Sequence, residues 1–206
     1  MAAASSQSPA IVGGWVSDEV REEFPGLALR YTLVPSGVRR TPSIVKRQLE
    51  DISDRIDARR AVALRSRGST AAYRVFQRQI GLDPDLDRTP FETAIIDRMI
   101  EGAFLPRGLP ADACTIATIE TGVPIWAIDA VSLSGPLGIR TTTAGSLVIA
   151  DRKSVLAPLL GAPEAALAPS RTTSAIALFA VAVAGSPEPI ADEALWLAAA
   201  LASEGA

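Results

Sequence analysis

Apolar residues follow two different spacings along the chain, one typical of helices and one typical of strands. After Thr41 they are separated by four, three and four positions, which predicts a long helix with a single buried face. The residues of that face are Val45, Leu49, Ile52 and Ile56. Leu27 to Val34 instead alternates between apolar and polar positions and predicts a strand with one face in the core.

Boundary residues predict further helices. Ser17 precedes an acidic turn, and we expect it to be a helix cap. Ser69 is expected to cap another helix, whose inward face is formed by Tyr73, Phe76 and Ile80. Another short helix is expected from Asp112 to Thr121, ended by Gly122. Ahead of the first helix, the segment 10–16 (AIVGGWV) predicts a short strand interrupted by glycines.

The strongest helix start follows the segment GLDPDLDR, residues 81–88. Thr89 is a good N-cap, Pro90 occupies the first helical position, and Glu92 completes a capping box. Its apolar face is expected to be Phe91, Ile95 and Met99, and its end Gly102. The preceding segment has the Gly, Pro and Asp composition of a fixed polar turn, a kind of loop that often supports a binding surface.

After Gly122 the pattern changes to short apolar pieces separated by Gly, Pro, Asp or Ser. These predict strands in VPIWAID, GIRTTT, SLVIAD, SVLAPL and TSAIALFAVAVA, followed by a helix from about Pro189 to Ala202. The chain is therefore expected to be α+β, with a helical layer packed on a mostly antiparallel sheet. We expect residues 1–9 to form a disordered tail and residues 10–206 to form one domain.

Composition excludes several kinds of chemistry. The 206 residues include no histidine and one cysteine, Cys114, so His-based triads, the usual zinc sites and an intrachain disulfide are all excluded. No glycine-rich phosphate loop and no membrane-spanning apolar run is present. The first ten residues do not have the pattern of a signal peptide, and a reducing cytoplasm fits the single cysteine. We expect no metal and no cofactor, and Cys114 is expected to be a small buried apolar residue.

Positive charge is concentrated between Arg39 and Arg78, where eleven Lys or Arg residues stand against four acidic ones. One interpretation is a solvated helix pair with intrahelical ion pairs, such as Asp51 with Arg55. The other is a basic face that docks on RNA phosphates, for which arginine is well suited. The candidate RNA-binding residues are Arg39, Arg40, Arg59, Arg60, Arg65 and Arg67.

Three segments together resemble the tRNA-binding and editing domain of the bacterial phenylalanyl-tRNA synthetase β chain. The segment 73–98 contains a tyrosine, a G-x-D-P turn and an R-x-P turn, supplied by Gly81, Asp83, Pro84, Arg88, Pro90, Glu92, Ala94 and Arg98. TGVPIWAID (residues 121–129), with Asp112 before it, matches a GLPI-x-x-x-D segment. AGSLVIAD (residues 144–151) matches a G-E-x-x-x-x-D strand more weakly. The resemblance covers about residues 10–185.

The resemblance implies a compact domain with a β-sandwich-like core flanked by helices. It implies a stand-alone tRNA-binding protein that hydrolyses misacylated aminoacyl-tRNA in trans, an editing reaction that depends on positioning an ester and a water rather than on a covalent nucleophile. The alternative is a module of the same fold that binds RNA or an amino acid without catalysis. The partner is tRNA or aminoacyl-tRNA, with no membrane involved. The chain lacks the signatures of an aminoacyl-tRNA ligase.

The same resemblance places six residues in a substrate pocket, without assigning a catalytic one: Thr115, Thr118, Trp126, Asp129, Gly145 and Ser146. Thr115 stands where the family usually has asparagine, and Ser146 stands where it has a pocket glutamate. Each residue also has a purely structural interpretation. The threonines and Ser146 would be core-facing fillers, Trp126 would fill the core, and Asp129 would end a strand. Arg88 and Arg98 are expected either to pair with Asp85, Asp87 or Glu101 or to reach substrate.

If the basic segment binds tRNA, reversing the charge of Arg59 and Arg60 together will weaken binding, because two phosphate contacts become repulsive. The slope of affinity against salt concentration will also become shallower. Filter binding over a salt series measures both quantities. Unchanged binding in the double variant would contradict the basic-face hypothesis.

Overall fold

Two sheets of four strands each form the centre of the computed structural model, which describes residues 9–57, 63 and 68–204. The first sheet is antiparallel, in the order β1 (Val12–Gly13), β3 (Ala28–Val34), β8 (Ile176–Ala182) and β4 (Trp126–Asp129). The second is β2 (Trp15–Val16), β5 (Gly138–Thr141), β6 (Leu147–Ala150) and β7 (Val155–Pro158). Only the β2–β5 pair of that sheet is parallel.

Helices cover and flank these sheets. They are α1 (Asp18–Glu23), α2 (Ser43–Asp54), α3 (Gly68–Gln79), α4 (Pro90–Glu101), α5 (Ala111–Thr121) and α6 (Ile190–Ser203). Two short 3₁₀ turns lie at Ala130–Ser132 and Ala165–Leu167. The expected tail at 1–9 lies, apart from Pro9, outside the described residues.

Strand β8 is the buried centre of the domain. Ile176 to Val181 are each 0% exposed, and β8 pairs with β3 on one side and with β4 on the other. Helix α6 packs on β3, β8 and α5. One continuous apolar core contains residues of both sheets, including Phe179 of the first and Ile139 of the second. The described chain is thus a single compact α+β domain, as the sequence predicts.

The glycine-interrupted strand at 10–16 divides between the two sheets. The Gly14 N–H donates to the Leu29 carbonyl in the first sheet at 2.8 Å, and the Trp15 N–H donates to the Leu137 carbonyl beside the second sheet at 3.1 Å. A Cβ at position 14 would lie 2.7 Å from the Leu137 carbonyl oxygen, so only glycine fits at this crossing. The chain therefore passes from one sheet to the other within one residue.

Most predicted helix features are confirmed. Val45, Leu49 and Ile52 are buried on α2, and α5 ends at Gly122. Ile56 is buried too, but the predicted helix is too long, because α2 ends at Asp54. Ser17 is the N-cap of α1 by position, but its hydroxyl makes no capping bond. The prediction for Ser69 is wrong, because α3 already includes Gly68 and Ser69 is a buried residue within the helix. Met99 of α4 is 43% exposed rather than inward-facing.

Arg74 of α3 fixes the GLDPDLDR segment through hydrogen bonds. The capping-box pattern in the sequence does not predict this contact. The Arg74 guanidinium donates to the Pro84 carbonyl at 3.0 Å, to Glu92 Oε1 at 2.7 Å and to Asp85 Oδ1 at 2.7 Å. Glu92 also completes the predicted capping box with Thr89, by bonds of 3.1 and 3.2 Å. One arginine, whose side chain is 12% exposed, therefore fixes the turn between α3 and α4 and the start of α4.

Replacing Arg74 with Met will lower the free energy of unfolding by about 3 kcal/mol, because the ion pair between Arg74 and the buried carboxylate of Glu92 is lost. Asp85, which is exposed, adds little. Urea denaturation measures the change. Arg78→Met is the matched control on the exposed face of the same helix and should stay within about 0.5 kcal/mol of wild type. Equal stability of both variants would contradict the assigned role of Arg74.

Candidate functional site

An open cleft of about 620 Å³ lies where the helical layer meets the second sheet. We call it the turn cleft, because two turns form its walls: the segment 80–88 between α3 and α4, and the segment 142–146 between β5 and β6. Its apolar lining includes Phe24, Ile80, Leu147 and Leu159. Its polar lining includes Gln77, Asp87, Arg88, Thr141 and Ser146.

The β5–β6 turn presents Ser146 to the turn cleft. The Thr142 N–H donates to the Ser146 carbonyl at 2.9 Å, and the Ser146 N–H donates to the Thr142 hydroxyl at 3.2 Å. Gly145 has a φ of +82° and completes the reversal. These bonds use the backbone of Ser146 and the side chain of Thr142. The Ser146 side chain is exposed at the cleft, where its hydroxyl can donate to or accept from a ligand.

Gln77 supplies an unused hydrogen-bond acceptor in the cleft wall. Its side-chain amide nitrogen donates to the Asp87 carbonyl, which can only accept, so the orientation of the amide group is fixed. The residue is 2% exposed, and its Oε1 is buried with no partner in the described part of the chain. A buried acceptor of this kind is costly unless a donor completes it. Gln77 is also one of the residues that line the turn cleft.

Arg88 is the positive charge of the turn cleft. Its side chain is exposed, and among the described residues it forms no ion pair. Two of the three acids expected to pair with it have other partners: Asp85 pairs with Arg74, and Asp87 accepts the Asp83 N–H at 3.1 Å. Glu101, the third, forms no ion pair with Arg88 in the described part of the chain. Arg98 does not pair with an acid either, since it donates to the Ser53 carbonyl at 2.8 Å. Arg88, and not Arg98, is thus placed to reach a ligand.

Two of the six predicted pocket residues, Gly145 and Ser146, line the turn cleft, and the other four line neither it nor the second cleft described below. The Thr115 hydroxyl donates to the Ala111 carbonyl one turn earlier, at 3.0 Å. The Thr118 hydroxyl accepts the Ile125 N–H at 3.2 Å and joins α5 to the approach to β4.

The other two have core or turn contacts. Trp126 is 8% exposed and stacks on Phe179, with ring centroids 5.6 Å apart. Asp129 accepts the Val131 N–H at 3.0 Å and the Thr173 hydroxyl at 2.5 Å.

Cys114 lies in the core, as the sequence predicts. Cys114 is 9% exposed. Its burial, together with the charge of Asp112, raises the pKa of the thiol to about 12. A thiol with such a pKa is not a nucleophile at neutral pH.

The candidate RNA-binding residues are only partly described. Arg59, Arg60, Arg65 and Arg67 lie outside the described residues. Arg39 and Arg40 line a second cleft of about 720 Å³, together with Lys46, Arg107 and Arg171. We call this the basic cleft. The expected Asp51–Arg55 side-chain pair does not form; Arg55 instead pairs with Glu120 of α5 and donates to the Asp51 carbonyl.

The chain matches no protein-family model, and no curated protein matches it at a significant level. The resemblance to the synthetase editing domain therefore stays a prediction carried by the sequence segments themselves. Within residues 9–57, 63 and 68–204, no helix is long and apolar enough to cross a membrane.

Sequence reasoning missed Gln77, although a signal for it exists. It lies four residues after Tyr73, on the buried face of α3, where a polar side chain is unusual. Arg107 and Arg171 had no such signal, because each is a single basic residue in a loop and only the folded chain brings them beside Arg40.

Asp151, the last residue of the AGSLVIAD segment, has a structural role that pH can test. It accepts the Lys153 and Ser154 N–H groups at 2.7 and 2.8 Å and the Ser134 N–H at 2.7 Å. Burial alone would raise the pKa of this carboxyl. The three N–H groups favour the charged form more strongly and hold the pKa below its ordinary value of 3.8.

We expect Asp151→Asn to lower the free energy of unfolding at pH 7 by about 1–3 kcal/mol, since one N–H loses its acceptor. A lowered pKa stabilises the folded protein above the ordinary value of 3.8, and that stabilisation disappears as the pH falls through the folded pKa. The difference between wild type and variant should therefore shrink in acid. Denaturation curves between neutral and acid pH measure it, and a constant difference would refute the role assigned to Asp151.

Proposed function

We propose that this protein binds aminoacyl-tRNA and hydrolyses a misacylated ester in the turn cleft, acting as a separate protein rather than as part of a synthetase. The observation that supports this most is the meeting of two segments of the resemblance in one cleft. Leu82, Asp87 and Arg88, from the segment that contains the G-x-D-P turn, line the same opening as Gly145 and Ser146, although the two segments are far apart in the chain.

The groups in the turn cleft suit an ester with a hydrogen-bonding neighbour. Gln77 Oε1 accepts from the α-ammonium group of the amino acid or from a ribose hydroxyl. Arg88 stabilises the negative charge that develops on the carbonyl oxygen during attack. The apolar lining receives the amino-acid side chain.

Hydrolysis then needs a positioned water and no covalent intermediate. The oxygen of the water bonds to the carbonyl carbon, the ester C–O bond breaks, and the ribose oxygen takes up the proton. Ser146 and Asp87 are the groups of the lining that hydrogen-bond this water. Since the ester is intrinsically reactive, orientation and charge stabilisation supply the acceleration.

A module that binds without catalysis is the second candidate. It is favoured by Ser146, a neutral hydroxyl on an exposed turn where the resembling family has a pocket glutamate. Such a protein would use the same cleft to hold an amino-acid ester, without the carboxylate that the resembling family has at the position of Ser146.

The deciding assay follows the loss of aminoacyl ester from a panel of correctly and wrongly charged tRNAs, against buffer alone. We expect selective acceleration with one wrongly charged pair. Binding of tRNA without acceleration of any pair would favour the second candidate, and neither binding nor acceleration would refute both.

Replacing Ser146 with Phe will abolish the acceleration and leave tRNA binding intact, because a large side chain at the cleft wall excludes the ester while the rest of the surface is unchanged. Thr143→Phe is the matched control: it is exposed on the same turn but does not line the cleft. Full activity of the Ser146 variant would remove the turn cleft from the reaction.

A further inference from the structure

The basic cleft brings together five cations from three separate parts of the chain. Arg39, Arg40 and Lys46 come from the start of α2 and the segment before it, Arg107 from the loop before α5, and Arg171 from the loop before β8. No acidic residue lines this cleft. Lys46 has one acidic neighbour on α2, Glu50, at 3.9 Å, which is a weak and exposed pair. The other four cations form no ion pair among the described residues, and a cluster of like charges around one opening attracts an anion.

A buried carboxylate beneath the basic cleft fixes its shape. Asp112 is 1% exposed and accepts three hydrogen bonds from the lining: from the Thr41 hydroxyl at 2.5 Å, the Arg107 N–H at 2.8 Å and the Gly108 N–H at 2.9 Å. Its charge is thus satisfied from within the wall. The loop that holds Arg107 is thereby tied to the approach to α2, before any ligand arrives.

A short backbone bridge closes the same wall. Arg39 and Leu109 exchange N–H to carbonyl bonds of 3.3 and 2.9 Å. A Cβ at Gly108 would lie 2.7 Å from the Arg39 carbonyl oxygen, so the close approach of the two segments depends on glycine. The spacing of the cations is therefore set by the backbone and not by flexible side chains alone.

Arg39 has a divided role. Its Nη2 donates to the Ala202 and Glu204 carbonyls at the end of α6, at 2.7 and 2.8 Å, which holds the side chain in place. Its Nε is buried without a partner in the described part of the chain.

We propose that the basic cleft binds a phosphate group of the RNA substrate, through the cations of Arg40, Lys46, Arg107 and Arg171. This inference rests on the proposed function for the identity of the ligand, but the site itself shares no residue with the turn cleft. The first turn of α2, next to Thr41 and Lys46, contains no acidic residue, so its helix dipole adds to the attraction for an anion. Phosphate contacts would hold the RNA while the ester occupies the turn cleft.

The test uses the full chain with two probes, inorganic phosphate followed by ³¹P NMR and uncharged tRNA followed by filter binding over a salt series. The variant is Arg107→Ala with Arg171→Ala, both exposed, and thermal melting confirms that it folds. The control is Arg21→Ala with Arg152→Ala, which removes the same charge from exposed positions outside the cleft.

We expect the cleft variant to lose phosphate binding. Its affinity for tRNA should fall by about tenfold for each lost contact at roughly 0.1 M salt, and its salt slope should fall by about 0.7–0.9 for each contact. The control should resemble wild type. Equal binding of both probes by wild type and cleft variant would overturn the site and leave the proposed function standing. If the variant loses phosphate binding but the wild type binds no tRNA, the site is supported. RNA as the source of the phosphate group and the proposed function are then both overturned.

Discussion

Strand β8 imposes the constraint on which this fold depends. Six consecutive residues, Ile176 to Val181, are withdrawn completely from water, so every backbone N–H and carbonyl among them needs a protein partner. Strands β3 and β4 supply these partners on either side, which fixes the order of the first sheet. Both faces of β8 are apolar and have to be covered, and α6 packs across one of them. The surrounding layers follow from burying this one strand.

The two clefts lie at the margins of that core, and each is shaped by one ionic group of low exposure. Arg74 fixes the α3–α4 turn that forms a wall of the turn cleft, and Asp112 fixes the loop that carries Arg107 into the basic cleft. In both cases a charged group of low exposure is hydrogen-bonded by neighbouring groups of the protein. The exposed arginines nearby, Arg88 and Arg171, can bind a ligand. Buried ionic groups here position the parts of the surface that can bind a ligand.

Element types were predictable wherever apolar spacing was regular, as in the α2 stripe and the alternation of β3, because burial of one face decides the structure of such segments. The start of α3 was not predictable, since Gly68 is already helical and Ser69 occupies a position inside the helix. The candidate site was predictable only in part. Ser146 lines a cleft, whereas Thr118 serves the backbone of Ile125. The sequence shows which residues are polar, but a hydroxyl's partner depends on tertiary contacts between distant segments.

The buried state of Cys114 gives the protein an internal reporter of motion. It is the single thiol in the chain and lies near the start of α5, two residues after Asp112. A thiol-specific reagent can react with it only when α5 opens away from the core and the thiol regains an ordinary pKa. The rate of labelling therefore measures the opening of the helix that supports the basic cleft, without any engineered label. A ligand that binds in the basic cleft and stabilises α5 would slow the labelling of Cys114 without contacting the thiol.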